Sequence, residues 1–190
     1  MAETPPTDLN LCGSCTACGL AETRNRVVVS RGSVSAALML IGEAPGARED
    51  ATGQPFVGRS GKALDRLLVE AGFDLDREVY ICNAVKCRPP GNRRPKRLEL
   101  EACRPWLDLQ LNQVNPAAVV LAGATAVEAI LGIKGGMTQL RGRWQRWQER
   151  AVMPIFHPSY LLRNASPDEG APIDLTRQDL AAVRQHLCER

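Results

Sequence analysis

The chain has 190 residues, of which 44% are hydrophobic and 24% are charged, with a formal net charge of +3. These globular proportions exclude a disordered or fibrous chain and favour one domain over residues 1–190. The start of the chain has no basic stretch leading into an apolar run, and the longest apolar run, residues 117–127, is too short to cross a bilayer. We therefore expect a cytoplasmic protein without a membrane partner.

The elements predicted from hydrophobic periodicity alternate between strand and helix. In chain order they are a Cys- and Arg-rich segment over 1–30, strand 36–42, loop 43–61, helix 62–71, strand 79–83, basic loop 88–96, helix 98–113, strand 118–122, helix 124–131, strand 152–156 and helix 175–187. Pro105 is expected to kink helix 98–113 or to begin its second half. Near-continuous apolar strands between helices predict an α/β fold, a three-layer α/β/α arrangement with a central, mostly parallel, four-stranded sheet.

Three polar residues follow predicted strands. Glu43, Asn83 and His157 each stand at or just after the end of an apolar run. In parallel sheets, ligands bind beyond the carboxyl ends of the strands. The sequence therefore predicts that these three residues share one site.

Seven cysteines in a chain of this size are not needed to stabilise a small fold. In the cytosol, clustered thiols usually indicate metal or redox chemistry. Cys12, Cys15 and Cys18 form a C-x2-C-x2-C run, while Cys87 and Cys103 flank the basic loop. One CxxC pair with the two distant cysteines gives a four-thiolate site, suited to structural zinc or to an iron–sulfur cluster. The two remaining cysteines, Cys82 and Cys188, are expected to be small buried hydrophobic residues.

Basic residues cluster in the middle of the chain. Residues 86–97 contain no acidic residue, and most of the 24 basic residues of the chain are arginines, which bind phosphate well. A high arginine content can also reflect a GC-rich genome. The prediction of a phosphate-binding loop therefore rests on the clustering of the basic residues, not on their number. The basic residues of this stretch are Lys86, Arg88, Arg93, Arg94, Lys96 and Arg97.

Four sequence blocks together resemble one enzyme family. They are GEAPGARED at 42–50, GQPFVG at 53–58, NAVKCRPP at 83–90 and HPSYLLR at 157–163. In order and spacing they resemble the iron–sulfur uracil-DNA glycosylases of family 4, over residues 15–163. The resemblance implies a DNA-repair enzyme that flips uracil out of single- or double-stranded DNA and hydrolyses its N-glycosidic bond, leaving an abasic site. We expect it to act as a monomer.

The resemblance also implies a [4Fe–4S] cluster. It places the ligands at Cys15, Cys18, Cys87 and Cys103, with a loop region bound by the cluster and residues 1–30 as the N-terminal ligand segment. Cys12 departs from the family's pattern, so a Cys12/Cys15 pair stays open as the alternative to Cys15/Cys18.

The same resemblance assigns the uracil pocket. Phe56 stacks on the base, and the Asn83 amide pairs with N3–H and O4, a pattern that cytosine cannot match. Glu49 crowds C5 and so rejects thymine, with helix capping as its alternative role. Backbone N–H groups of the turn at Gly42, Glu43 and Ala44 line the rest of the pocket.

Catalysis centres on His157, which donates a hydrogen bond to O2 as the uracil anion leaves. The wider superfamily has an Asp in the loop after the first strand to orient water, and Ala44 stands there in this chain. Two sources of water activation are left open: the carboxylate of Glu43, or weak assistance to attack on an already electrophilic sugar.

Two regions are expected to contact DNA. In the basic loop, Arg88, Arg93 and Arg94 bind phosphates. After His157, a loop with apolar tips inserts Leu161 or Leu162 as a wedge into the minor groove, beside Arg163. Its alternative is a loop that packs back on the core. The competing functions are an iron–sulfur redox or electron-transfer protein and a zinc-stapled nucleic-acid binder without catalysis.

Overall fold

The computed structural model describes residues 6–166 and 168–189. The first five residues, on which part of the expectation about the chain's start rests, lie outside that range. Within it, no helix combines the length and the apolar character needed to cross a membrane.

One six-stranded sheet forms the centre of the fold, with the strand order β1-β3-β2-β4-β6-β5. The strands are β1 (Arg31–Gly32), β2 (Leu38–Gly42), β3 (Val79–Asn83), β4 (Ala118–Ala122), β5 (Gln145–Trp147) and β6 (Arg150–Ile155). The four central strands run parallel and are the four predicted, while β1 and β5 pair antiparallel at the edges. The predicted count of four is corrected to six, because strands of two and three residues are too short to show a hydrophobic period.

Seven α-helices are present in the described residues. They are α1 (Ala47–Thr52), α2 (Arg59–Glu70), α3 (Arg97–Val114), α4 (Ala124–Leu131), α5 (Met137–Leu140), α6 (Pro158–Arg163) and α7 (Pro172–Cys188). Helix α3 continues through Pro105, which lies on its exposed side. Helices α1 and α6 replace predicted loops, since each has only six residues and shows no clear apolar face.

The helices cover both faces of the sheet and confirm the three-layer α/β/α arrangement. On one face α2, α6 and α7 pack on the sheet through residues such as Leu64, Leu161 and Leu180. On the other face α3 and α4 pack through residues such as Leu107 and Val127. A third, smaller core joins the N-terminal segment to the start of α3, and its buried members are Leu20, Val85, Cys87 and Cys103.

Candidate functional site

The carboxyl ends of the four parallel strands bring the predicted site residues together. Gly42 ends β2, Asn83 ends β3, and His157 follows β6 by two residues. Strands β3, β2, β4 and β6 are neighbours in that order, so their ends form one row along the sheet edge. The prediction of a shared site at this edge agrees with the positions of these residues.

Gly42 leaves the space that Phe56 and Asn83 face. A Cβ atom added to Gly42 would lie 2.4 Å from Cζ of Phe56 and 2.5 Å from Oδ1 of Asn83. The Phe56 ring also lies near His157, with 6.3 Å between ring centroids. Phe56 has a φ of +55°, a left-handed conformation that is rare for an aromatic residue and typical of functional sites when the surroundings enforce it.

Asn83 carries an unpaired acceptor at this space. The residue is only 1% exposed, yet its Oδ1 atom has no hydrogen-bond partner among the residues that the structure describes. Buried polar atoms are nearly always paired, because an unmade hydrogen bond costs about 1–3 kcal/mol. The amide therefore favours a ligand that brings an N–H or O–H donor into the pocket.

The His157 ring is fixed in one orientation. Its Nδ1 atom accepts a hydrogen bond from the backbone N–H of Ser159 at 3.2 Å and lies 2.8 Å from the Ser159 hydroxyl oxygen. Because Nδ1 accepts, the proton of the neutral ring is on Nε2. Burial lowers the pKa of His157 below its ordinary value of 6.5, the Glu43 carboxylate opposes that shift, and the Arg163 cation adds to it. The ring is thus a neutral N–H donor at neutral pH.

Glu43 is oriented by a residue that the sequence did not single out. The Thr125 hydroxyl, in the first turn of α4, donates a hydrogen bond to the Glu43 carboxylate. The turn before α4 also approaches His157 closely: Gly123 has a φ of +91°, and a Cβ there would lie 2.9 Å from Cβ of His157. A lone threonine gives no sequence signal, because only the fold brings it to residue 43.

Glu49 holds the loop that carries Phe56. Its carboxylate accepts hydrogen bonds from the backbone N–H groups of Gly46 at 3.2 Å, Val57 at 2.9 Å and Gly58 at 2.8 Å. These contacts are those of the capping role named as the alternative for Glu49. That its carboxylate also crowds C5 of the base stays a prediction.

Five cysteines line a second pocket, which Lys86 also lines. Three nitrogen donors point at their sulfur atoms: Arg24 at Cys87, the Trp106 indole at Cys15, and the backbone N–H of Lys86 at Cys103, each at 3.3 Å. Such donors are common around thiolate ligands of metal centres. The pocket includes Cys12, Cys15, Cys18, Cys87 and Cys103.

Two thiols of this pocket, those of Cys12 and Cys103, are held protonated by burial when no metal group is bound. Burial raises the pKa of Cys12 to about 12 and that of Cys103 to about 11. In the described part of the chain, no group of three or more Cys, His, Asp or Glu side chains is arranged to hold a single metal ion, so the case for a cluster rests on the chemistry of the pocket lining. Outside the pocket, Cys82 is buried as expected, whereas Cys188 is exposed, so the expectation for Cys188 is wrong. It lies at the last residue of α7, where the helix leaves the core.

The basic loop is more internally paired than expected. Arg93 makes a bidentate ion pair with Glu99, at 2.6 and 2.8 Å, and Arg94 pairs with Glu128. Both guanidinium groups are therefore ion-paired, with acidic partners that lie outside the acid-free stretch 86–97, and phosphate binding by Arg93 and Arg94 stays a prediction. Among the described residues, the side-chain partner of Arg88 is the neutral side chain of Asn92, at 2.7 Å.

The segment after His157 separates the two candidate wedge residues. Leu161 is 2% exposed and packs in the core, whereas Leu162 is 45% exposed. The prediction for Leu161 as a wedge is wrong, since the segment is a helix whose inward side carries this residue. Leu162 and Arg163 remain at the surface.

Comparisons with known proteins show to which family the chain is similar. Residues 29–181 match the family model of the uracil DNA glycosylase superfamily. A "Type-4 uracil-DNA glycosylase" of Thermotoga maritima is 47% identical over 80% of each chain. One of the same name from Sulfurisphaera tokodaii is 39% identical over 80% of this chain and 72% of its own. A "Type-5 uracil-DNA glycosylase" of Pyrobaculum aerophilum is 38% identical over 72% of this chain and 67% of its own.

Proposed function

The chain belongs to the uracil-DNA glycosylase superfamily, with its type-4 members among its relatives, and we propose that it excises uracil from DNA. The reaction is hydrolysis of the N-glycosidic bond, which leaves an abasic site for base excision repair. The enzyme acts on a flipped-out base, because the bond lies inside the stack in paired DNA.

The unpaired Oδ1 of Asn83 is the observation that carries this proposal. Uracil offers the missing donor at N3–H, and its O4 accepts from the amide nitrogen. Cytosine has an acceptor at N3, so its entry would set two acceptors against each other and leave both unpaired. Phe56 beside the same space supplies the face on which the base stacks.

His157 stabilises the departing base. As the glycosidic bond breaks, negative charge develops on uracil O2, and the Nε2–H of a neutral His157 donates a hydrogen bond to it. A fixed donor in a site with little water acts more strongly on the transition state than on the ground state. The capping contact with Ser159 keeps the ring in place, so no reorganisation is needed during the reaction.

Glu43 is proposed to orient the attacking water. Its carboxylate is half-buried, held by the Thr125 hydroxyl, and close enough to His157 to influence the pKa of that ring. A carboxylate here can accept a proton from water while it stabilises the cationic sugar. This assigns to Glu43 the task that Ala44 cannot perform.

We further propose that Cys15, Cys18, Cys87 and Cys103 hold a [4Fe–4S] cluster. Their pocket supplies thiols together with nitrogen donors to sulfur, which fits a thiolate-ligated cluster. The cluster would have a structural role rather than a part in the reaction. It would cross-link the N-terminal segment, the loop that follows β3 and helix α3. Because Cys87 begins the basic loop, the cluster also fixes one end of that DNA-binding surface.

The DNA surface consists of two cations, the partly buried Arg88 and the exposed Arg163, and one apolar tip at Leu162. Arg88 and Arg163 bind phosphates, and the exposed Leu162 fills the vacated place in the stack. A redox carrier or a non-catalytic binder gives no joint purpose to Phe56, Asn83 and His157, which the fold places around one space.

The function is tested with oligonucleotides that carry a single uracil, incubated with the purified enzyme and then cleaved with alkali. We expect strand scission at uracil and none at thymine or cytosine in the same context. Asn83→Asp places an acceptor opposite O4, so uracil excision should fall by orders of magnitude while DNA affinity stays close to that of the original enzyme. No scission at uracil, or full activity of Asn83→Asp, contradicts the proposal.

A further inference from the structure

Lys86 lies between the uracil pocket and the cysteine pocket. Its side chain is 1% exposed, although it carries an ammonium group on a flexible stem. The Nζ atom donates a hydrogen bond to the backbone carbonyl of Asn83 at 2.6 Å. The backbone N–H of the same residue donates to Sγ of Cys103, and its carbonyl accepts from the N–H of Val28 at 2.8 Å.

The charge of this ammonium needs a partner. Lysine is almost never fully buried unless it is paired, because burial of an isolated charge costs several kcal/mol or more. None of the ion pairs among the described residues includes Lys86. Among the titratable groups near enough to interact with its charge are the thiols of Cys12, Cys82 and Cys103. A neutral carbonyl alone is a poor counterpart for a buried cation.

A thiolate-ligated cluster would supply the missing negative charge. Four thiolates outweigh the positive charge of the iron–sulfide core, so the whole group is anionic, and Cys103 is one of the proposed ligands. The ammonium also donates a hydrogen bond to the backbone carbonyl of Asn83, whose side chain is proposed to pair with the base. Lys86 therefore contacts both sites, its ammonium at the carbonyl of Asn83 and its backbone N–H at Sγ of Cys103.

We propose that Lys86 is a positioning residue that balances the charge of the cluster and fixes Asn83 in its base-reading position. This inference rests on the proposed function. It adds to that function a physical link between the cluster and the uracil pocket. Loading of the cluster thereby becomes a condition for a correctly placed Asn83. The competing explanation is that the long side chain of Lys86 only fills space.

Lys86→Met separates these explanations, since Met keeps the length and apolar stem but has no charge. Lys86→Arg keeps the charge and serves as the matched variant. Two quantities are measured on the iron-loaded proteins: the rate of iron release to a chelator, followed by visible absorbance, and single-turnover excision of uracil at increasing DNA concentration.

We expect Lys86→Met to release iron roughly 10- to 100-fold faster, the usual effect of removing an outer partner of a metal site. Its maximal excision rate should fall, while the DNA concentration for half-saturation changes little. Lys86→Arg should lie closer to the original enzyme in both measurements. If Lys86→Met fails to fold and Lys86→Arg retains iron, the charge is also supported.

Iron release by Lys86→Met at the original rate overturns the proposal. So does a Lys86→Arg variant that is no better than Lys86→Met, or the failure of both variants to fold, since each outcome shows that shape rather than charge matters. Iron release needs no DNA, so this result is distinct from the outcome of the uracil assay on the unmodified enzyme.

Discussion

The proposed uracil pocket depends on the absence of a side chain at Gly42. Replacement by Ala puts a Cβ atom 2.4 Å from the Phe56 ring and 2.5 Å from Oδ1 of Asn83, so both must move out of the base-binding space. We expect Gly42→Ala to lose most uracil excision while it keeps iron and DNA affinity. Gly136→Ala is the control, because nothing lies within 4 Å of its added Cβ and its φ is −71°. Equal activity of Gly42→Ala and Gly136→Ala would show that the base binds elsewhere.

His157 gives the second prediction at this scale. Loss of a fixed hydrogen-bond donor to a developing anion costs about 3–4 kcal/mol, or roughly 10²–10³ in rate. His157→Ala should slow single-turnover excision by that factor without loss of iron or of DNA affinity. Cleavage within a few-fold of the original rate would assign His157 a purely structural role as the cap of α6.

The pH dependence of the same step distinguishes a neutral donor from a cationic one. Burial lowers the pKa of His157 below 6.5, the ordinary value for histidine. The ring is therefore mostly neutral at pH 6.5 and above. If the neutral ring is the active form, the single-turnover rate is flat from pH 6.5 upward and the contribution of His157 changes only at lower pH. A rate that falls as pH rises through 6.5 indicates that the imidazolium is required. His157→Ala measured over the same range shows which part of the profile belongs to this residue.

Residues that act through sequence-distant partners were not predictable. Asn83, Phe56 and His157 could be predicted because motif blocks and strand ends mark them. Thr125 and Glu43 stand 82 positions apart, and only the packing of α4 against the sheet edge joins them. The ion pair of Arg94 with Glu128 escaped prediction for the same reason, since it spans 34 positions.

At the scale of elements, we expect α6 and the basic loop to contribute differently to DNA binding. Arg93 already has a bidentate partner in Glu99, whereas Arg163 is exposed at the end of α6. Arg163→Ala should weaken DNA binding and reduce the slope of log affinity against log salt by about one unit. Arg93→Ala should change that slope less and destabilise the loop instead. A larger slope change for Arg93→Ala than for Arg163→Ala would reverse these roles.

Element prediction was accurate where a hydrophobic period was long enough to detect. The four central strands are each buried on both faces, so their apolar runs marked them directly. Helix α1 begins within a loop rich in Gly and Pro and is held by Glu49 rather than by an apolar stripe. Helix α6 depends on the His157 cap and on Leu161, and six residues are too few for a period.

Across the whole molecule, the N-terminal segment is fastened to the active-site loop as well as to the cysteine pocket. Asp50, buried in α1, accepts hydrogen bonds from the backbone N–H and the side chain of Asn25, at 2.9 and 2.6 Å, and from the N–H of Arg26. The segment that supplies two proposed cluster ligands thus also packs beside the loop that carries Phe56. Loss of the cluster should therefore reach the uracil pocket.

Removal of single cysteines tests that dependence. Cys87→Ala and Cys103→Ala should each lose most of their iron, melt at a lower temperature and show less uracil excision, because structural metal binding contributes directly to folding. Cys82→Ala is the matched control: this thiol is fully buried in β3, so its removal tests packing without a ligand, and iron content should stay unchanged.

Cys12→Ala decides between the two CxxC pairs, since Cys12 is buried in the same pocket as the proposed ligands. Iron loss in Cys12→Ala with full iron in Cys18→Ala would assign the cluster to Cys12 and Cys15, whereas full iron in Cys87→Ala would remove the cluster from this pocket.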